Sequence, residues 1–534
     1  MLARLLELAD HRSSWNRALW QLGSVASIRE CLEYNELVRD EVSSLEGLQY
    51  VAQFTAEQVK QDPGCGADAI KDLVETHLAV NAKSAPKGLA EASIQKLEVL
   101  ATRINNRYLL EWVDIIEGGK LSLASATGVS VELAARSVAS HVFDGGLSGD
   151  HVHGWLLSLQ KRSEEAGGDF RGALSEFMKD AHAALLVPPR EWRVLVPFAR
   201  LPGDLIRSLQ EVHLSAERLD EYCDLAGLKR ERRGAGALWL KVCARDEYAA
   251  IAQADALVRK LIARVKVGGD VASASGRAAL ESEGKWRTLR TWQPVAKLPS
   301  IVRHDLIFSQ VQAFPTEAAR LDDALELLSV LDESTSWASV SSAWAAVESL
   351  LAPGQRRSAV TAADRLAAIV TCSYPRAELT NLAWVWKGKG HDRVAAQLAS
   401  AATSNRRLTI IHRHLLSHDV PPAVAKADPV GAARALELVR NPKPVLDRVQ
   451  RYLQSSLRRL YNQRNRVMHS ASSDSVALPA TLRTTPGLVA AGVDRIVHAV
   501  HARPSISPLA LAARAEIELS LLGGPGERAS HRLL

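Results

Sequence analysis

Arg464, Asn465 and His469 close one basic run, Leu460-Tyr461-Asn462-Gln463-Arg464-Asn465-Arg466-Val467-Met468-His469. A guanidinium, an amide and an imidazole form a set suited to phosphate chemistry. Preorganised cationic donors stabilise charge that grows on phosphoryl oxygens. An imidazole titrates near neutral pH and can take or give a proton. The amide can orient either group. Glu348, Tyr461 and Arg466 are the candidate supporting residues: Glu348 through a charge-assisted pair holding Arg464, the other two from beside the motif.

The element that must position this set is an amphipathic helix predicted over 446–468. Asn441-Pro442-Lys443-Pro444 offers a capping residue and prolines suited to a first turn. Leu446, Val449, Leu453, Leu457 and Leu460 recur at steps of three and four, which is one buried stripe. Arg464 and Met468 are the next places on that stripe, and the loop-like Ser470-Ala471-Ser472-Ser473-Asp474 follows. In a straight helix Arg464 and His469 lie about 140° apart, whereas Asn465 and His469 share a face. The helix must therefore end or bend near Met468, or a second copy must complete the site.

The bare Arg-to-His spacing recurs at Arg136/His141, Arg407/His412 and Arg413/His418. Context singles out Arg464: the long helix, the Leu460-Tyr461 lead-in, Asn465 in second place and the loop beyond. Arg464-Asn465-x-x-x-His469 resembles the motif of HEPN-domain ribonucleases, in which Arg and a polar residue precede His. Trp344-Ala345-Ala346-Val347-Glu348-Ser349-Leu350 looks like the first core helix of ApeA-like HEPN proteins. The resemblance covers roughly the last 200 residues. It departs at Ser470, where a glycine often follows the histidine.

That resemblance implies a helical bundle that dimerises, or forms a higher homo-oligomer, and cuts RNA without a metal or other cofactor. The ribose 2′-hydroxyl would attack the adjacent phosphorus and expel the 5′-oxygen. His469 would act as acid or base, Arg464 would stabilise the phosphoryl charge and Asn465 would orient. It also implies antiviral abortive-infection or toxin roles, with the N-terminal part sensing or restraining in response to a regulatory protein or a phage-derived trigger. Two other classes compete: a non-catalytic module that binds RNA or a protein, and a helical scaffold in which Arg464 anchors a core salt bridge.

Charge distribution favours an RNA partner. Residues 431–470 hold nine Arg and Lys against Glu437 and Asp447, an excess larger than the net charge of +6 for the whole chain. Arg451, Arg458 and Arg459 are the candidate backbone contacts within it. The chain has 534 residues, 47% hydrophobic and 24% charged, with only 5% aromatic residues. These values indicate a globular, mainly α protein of several domains. Cys31, Cys65, Cys223, Cys243 and Cys372 are scattered and form no C-x-x-C pair, which fits a reducing compartment. Acidic residues interrupt the N-terminal segment and no apolar run is long enough to span a bilayer. A cytoplasmic protein with no membrane partner is expected.

Three domains are expected. Residues 1–185 form a helical sensor or regulatory unit, 186–312 a small α/β module, and 313–534 a HEPN-like bundle. Strands are predicted at Trp192–Phe198, Ala237–Ala244 and Trp286–Val295, with Asp246 capping a helix after the second. In the last unit, helices are predicted from Thr316 to about Leu331, from near Ser334 to Pro353, over Ala359–Thr371, 377–386, 391–417 and 446–468, and from about Pro486 to Val500. The Arg230–Gly234 loop is basic and reads as a solvated loop. His151/His153 and the His412/His414/His418 group read as ordinary histidines, and no metal site is assigned. Gly118-Gly119-Lys120 and Lys387-Gly388-Lys389-Gly390 lack the spacing of a P-loop.

Overall fold

The computed structural model describes the chain apart from residues 82–86, 123–128, 166, 231–233, 282, 290–315, 330–335, 353–357, 387–391, 471–474, 504–505 and 525–528. The side chains of 122, 316–319, 336, 358–359, 469 and 470 also lie outside the description. The chain is mainly α-helical; the described residues include a small antiparallel sheet in its middle and a short parallel pair, Leu121–Ser122 with Val129–Ser130.

Apolar residues at helical spacing collect into separate cores. One takes its buried side chains from Leu2 to Ala181, around Tyr108, Trp112 and Phe177. His151 and His153, expected in a turn, stand on the helix Gly149–Glu165 of this part. A second core draws on Leu321 to Leu534 and includes one N-terminal residue, Trp20.

The sheet lies between them in sequence. Its central strand Arg190–Arg200 pairs antiparallel with Gly236–Ala244, from Arg190 opposite Ala244 to Phe198 opposite Gly236. His213–Leu214 extends that side, and Arg277–Leu280 with Arg287–Thr288 extends the other. Asp246 caps the helix Glu247–Val267, accepting from the Ala249 amide at 2.8 Å. Of the predicted third strand only Arg287–Thr288 is described as strand, and from residue 290 it lies outside the described residues, as do residues 231–233 and 387–390.

The C-terminal helices differ from the predicted ones in ways that have physical causes. Ala359–Thr371 and 377–386 are one helix, Ser358–Val385, with Pro375 inside it. Proline in a helix interior costs about 3 kcal/mol. Thr371, Cys372 and Tyr374 are buried, so a break there would bury several unpaired backbone groups, which costs more. Conversely, 391–417 is two helices. Asp392 caps Arg393–Ser400, and Thr403 caps Ser404–Ser417 by accepting from the Arg406 amide at 3.3 Å. The last long helix begins at Leu478 and carries Pro486 internally.

The helix that bears Arg464 runs unbroken over Pro442–Ser470, separated from its predecessor Pro429–Arg440 by Asn441 alone. Its stripe of Leu446, Val449, Leu453, Leu457 and Leu460 is buried. It packs on Ser358–Val385, Ser336–Leu351 and Leu478–Ala502. On Ser336–Leu351 the spacing predicts a stripe of Trp337, Val340, Trp344, Val347 and Leu351; the last four are buried and Trp337 is half-buried.

Candidate functional site

Arg464 is half-buried, and its Nη1 donates to Asn465 Oδ1 at 3.1 Å. Asn465 itself is buried. Nothing else bonds the Arg464 guanidinium among the described residues. Glu348 is half-buried too, and the anticipated Glu348–Arg464 ion pair is not formed. Tyr461 packs its ring 5.0 Å from Trp344, on the helix that carries Glu348. Tyr461 thus links the two helices in place of the salt bridge.

His469 lies within the helical backbone, one residue before its end. The helix runs through Met468 and ends at Ser470, two residues beyond it. The backbone leaves positions 464 and 469 about 140° apart. The His469 side chain and the loop at 471–474 fall outside the described residues.

The basic run is largely neutralised by the fold. Arg434 makes a two-pronged pair with Glu7 at 2.8 and 2.9 Å. Arg440 bonds Asp419, Lys443 bonds Asp447 and Arg448 bonds Glu437. Arg458 is held by both oxygens of Asp364 at 2.8 and 2.6 Å and lies 3.8 Å over the Tyr50 ring. Arg459 is 4% exposed and bonds Glu30 at 2.8 Å. Arg466 bonds Glu33 at 2.7 Å.

Arg458 and Arg459, the candidate RNA contacts, are thus each paired with a carboxylate within the fold. Each spends part of its five-donor fork on a carboxylate, and Arg459 is buried as well. Among the described residues of the run, Arg451, which is exposed, and Arg464 are the two basic side chains without an ion pair.

Three of the seven acidic partners, Glu7, Glu30 and Glu33, belong to the N-terminal helices, which sequence reasoning assigned to a separate unit. Glu7 sits in Leu2–Ala9 and receives Arg4, Arg17 and Arg434. Glu132 receives Arg4 and Arg136. Burial pushes the Glu7 carboxyl up, but the bond from Arg434 and the charges of Arg4 and Arg17 hold it below its ordinary value. Burial acts the same way on Glu132, where Arg4 and Arg136 hold it well below. No local pattern announces such contacts, because the partners lie hundreds of residues apart. The only available signal was the matching surplus of arginine at 431–470.

The other Arg-to-His pairs are accounted for structurally. His141 is buried, its ring 4.1 Å from Tyr108, and burial together with Arg29 lowers it to about 3. His412 is buried beside His531, and His414 stacks on His418 at 4.6 Å.

Among the described residues, one group has ligand atoms close enough for a metal: His151, Asp246 and Glu247. Asp246, however, already accepts from the Ser148 amide and hydroxyl and from Ala249. His151 faces Glu247 at 3.4 Å, and that contact, with burial acting the other way, raises the histidine. These bonds join the helix Gly149–Glu165 to the start of Glu247–Val267. They are the contacts of a helix-end junction.

The described fold and site thus define a mainly α-helical protein with an arginine–asparagine pair near the end of its longest helix. Comparison with protein-family models, with curated proteins and with solved structures returns no match for the chain. Among the described residues no helix is long and apolar enough to cross a membrane.

Proposed function

We propose that this chain is a metal-independent endoribonuclease of the HEPN type, acting in the cytoplasm as a homodimer or larger homo-oligomer. Arg464 stabilises charge on the phosphoryl oxygens, His469 moves the proton and Asn465 fixes Arg464 through their hydrogen bond. The observation that carries this reading is the state of Arg464. Seven of the nine basic residues of its run are neutralised by carboxylates, while Arg464 is half-buried and has only an amide oxygen beside it. A partly desolvated cation without a counter-charge is costly to keep, and such groups concentrate at functional sites.

Catalysis proceeds by attack of the ribose 2′-hydroxyl on the adjacent phosphorus with loss of the 5′-oxygen. The helix leaves positions 464 and 469 on different faces, so each cleft combines groups from two copies. A role in antiviral defence or as a toxin, with the N-terminal helices as restraint, rests on the family resemblance alone. A second reading, a non-catalytic module that binds RNA or protein, is favoured by the separation of positions 464 and 469 around the helix. The test is incubation of purified protein with tRNA and total RNA in EDTA, beside His469→Ala. We predict cleavage by the parent protein and its loss, by about 10²–10⁴-fold, in the variant. Equal cleavage by both would refute the mechanism, and salt-sensitive binding without cleavage would favour the second reading.

A further inference from the structure

A cleft of about 650 Å³ opens between the N-terminal helices and the first turns of Pro442–Ser470. That volume is in the range of small-molecule sites, about 300–1,000 Å³. Its lining includes Arg136 from the helix Val131–Asp144, Tyr374 from Ser358–Val385 and Tyr452 from Pro442–Ser470. Each of these brings an uncommitted polar group.

Arg136 is 4% exposed and lies 4.6 Å over the Trp20 ring. Its Nε donates to Glu132 at 2.6 Å and its Nη1 to the Ala18 carbonyl at 3.4 Å. Its Nη2 has no hydrogen-bond partner among the described residues. Tyr374 is 3% exposed, yet its hydroxyl has no partner among them either. The half-buried Tyr452 shares that property. None of these three groups is fully buried, so the cleft leaves each of them open to an acceptor from outside the chain.

The character of the acceptor follows from the rest of the lining. Its two carboxylates are already engaged, Glu132 by Arg4 and Arg136 and Glu437 by Arg448. Lys120 adds a cation without an ion pair among the described residues. What remains is donor-rich and selects an anion. Leu133, Val449 and the tyrosine rings supply apolar, planar walls that suit a flat ring.

We propose that this cleft is a binding site for a nucleoside monophosphate, its phosphate on Arg136 Nη2 and the Tyr374 hydroxyl and its base against Tyr452. Burial lowers Arg136 from its ordinary value against the charge of Glu132, and a bound phosphate would reverse that shift. The site is distinct from Arg464. Counting from Arg448, it lies about 24 Å back along the helix, so the proposal does not depend on ribonuclease activity.

The experiment is titration calorimetry on the full chain with AMP, GMP, CMP and UMP, and with adenosine and inorganic phosphate as separate probes. At least one mononucleotide should bind saturably at one site per chain, more tightly than adenosine or phosphate. Tyr374→Phe removes only a hydroxyl without a protein partner. It should weaken binding about ten-fold, as loss of a hydrogen bond to a charged group does, and leave the melting temperature unchanged. His469→Ala should bind as the parent does. Absence of binding for all four at millimolar concentration would overturn the proposal. So would equal affinity of adenosine, equal affinity in Tyr374→Phe, or loss of binding in His469→Ala.

Discussion

Glu33 and Arg466, 433 positions apart in sequence, meet at 2.7 Å. The same carboxylate accepts from the Ser475 hydroxyl and the Val476 amide, each at 2.9 Å. One N-terminal side chain therefore ties the end of the candidate site helix to the start of the next. Arg459–Glu30 repeats the arrangement about two turns back. The N-terminal helices hold the basic helix through its own arginines.

We predict that Glu33→Ala lowers the free energy of unfolding by about 2–3 kcal/mol, since it removes three bonds to one charged acceptor at a partly exposed place. Urea unfolding of Glu33→Ala, Arg466→Ala and the double variant would measure it. The double variant should cost less than the sum of the two singles. Strict additivity would show that the pair does not interact.

The Glu7 cluster should be more sensitive. Glu7→Ala leaves Arg4, Arg17 and Arg434 facing one another in a buried place. Breaking such a network from one side costs about 3–5 kcal/mol. A melting temperature within a degree of the parent would contradict this account of how the N-terminal helices are fastened.

Stability should also fall in mild acid because of His141. Its folded value is about 3 against an ordinary 6.5, so it stays neutral in the fold while the unfolded chain takes up a proton. Its contribution is complete above pH 6.5 and is lost as pH falls toward 3, by up to about 1.4 kcal/mol per unit. Glu7 and Glu132, both depressed, add loss only below their ordinary value of 4.5. Chemical denaturation at pH 7, 6 and 5 should therefore show a slope that His141→Gln flattens. An unchanged slope would mean that another group governs this window.

Much of the fold was legible because it obeys local periodicity. Leu446 to Leu460 and Val340 to Leu351 showed their buried faces as repeats of three and four, and Trp192–Phe198 and Ala237–Ala244 showed their strand character. Pro375 and Pro486 misled, since a proline reads as a boundary until burial on both sides outweighs its local cost. Arg464 and Asn465 were singled out by their spacing, and the structure adds the bond between them. The Glu348–Arg464 pair failed for a plain reason: helical phase puts a residue near a seam without fixing which neighbour faces it. The ion pairs of Arg458 and Arg459 were not legible because their carboxylates, Asp364 and Glu30, are distant in sequence. Charge counting within one window cannot see them.

Arg464 separates a catalytic role from a structural one. If it merely anchored the bundle, Arg464→Ala would lower stability. As an uncommitted cation it should cost little stability and most of the activity. Its circular-dichroism melting curve should overlay that of the parent within a degree or two.

The most direct measurement is the chemistry of the RNA ends. Purified parent protein and Arg464→Ala are incubated with a defined RNA in EDTA, and the fragments are analysed by mass spectrometry. We predict 2′,3′-cyclic phosphate ends from the parent, and at most about a hundredth of that product from the folded variant. Intact RNA after prolonged incubation with the parent, or the same yield of cyclic ends from Arg464→Ala, would contradict the assignment of this helix end as a ribonuclease site.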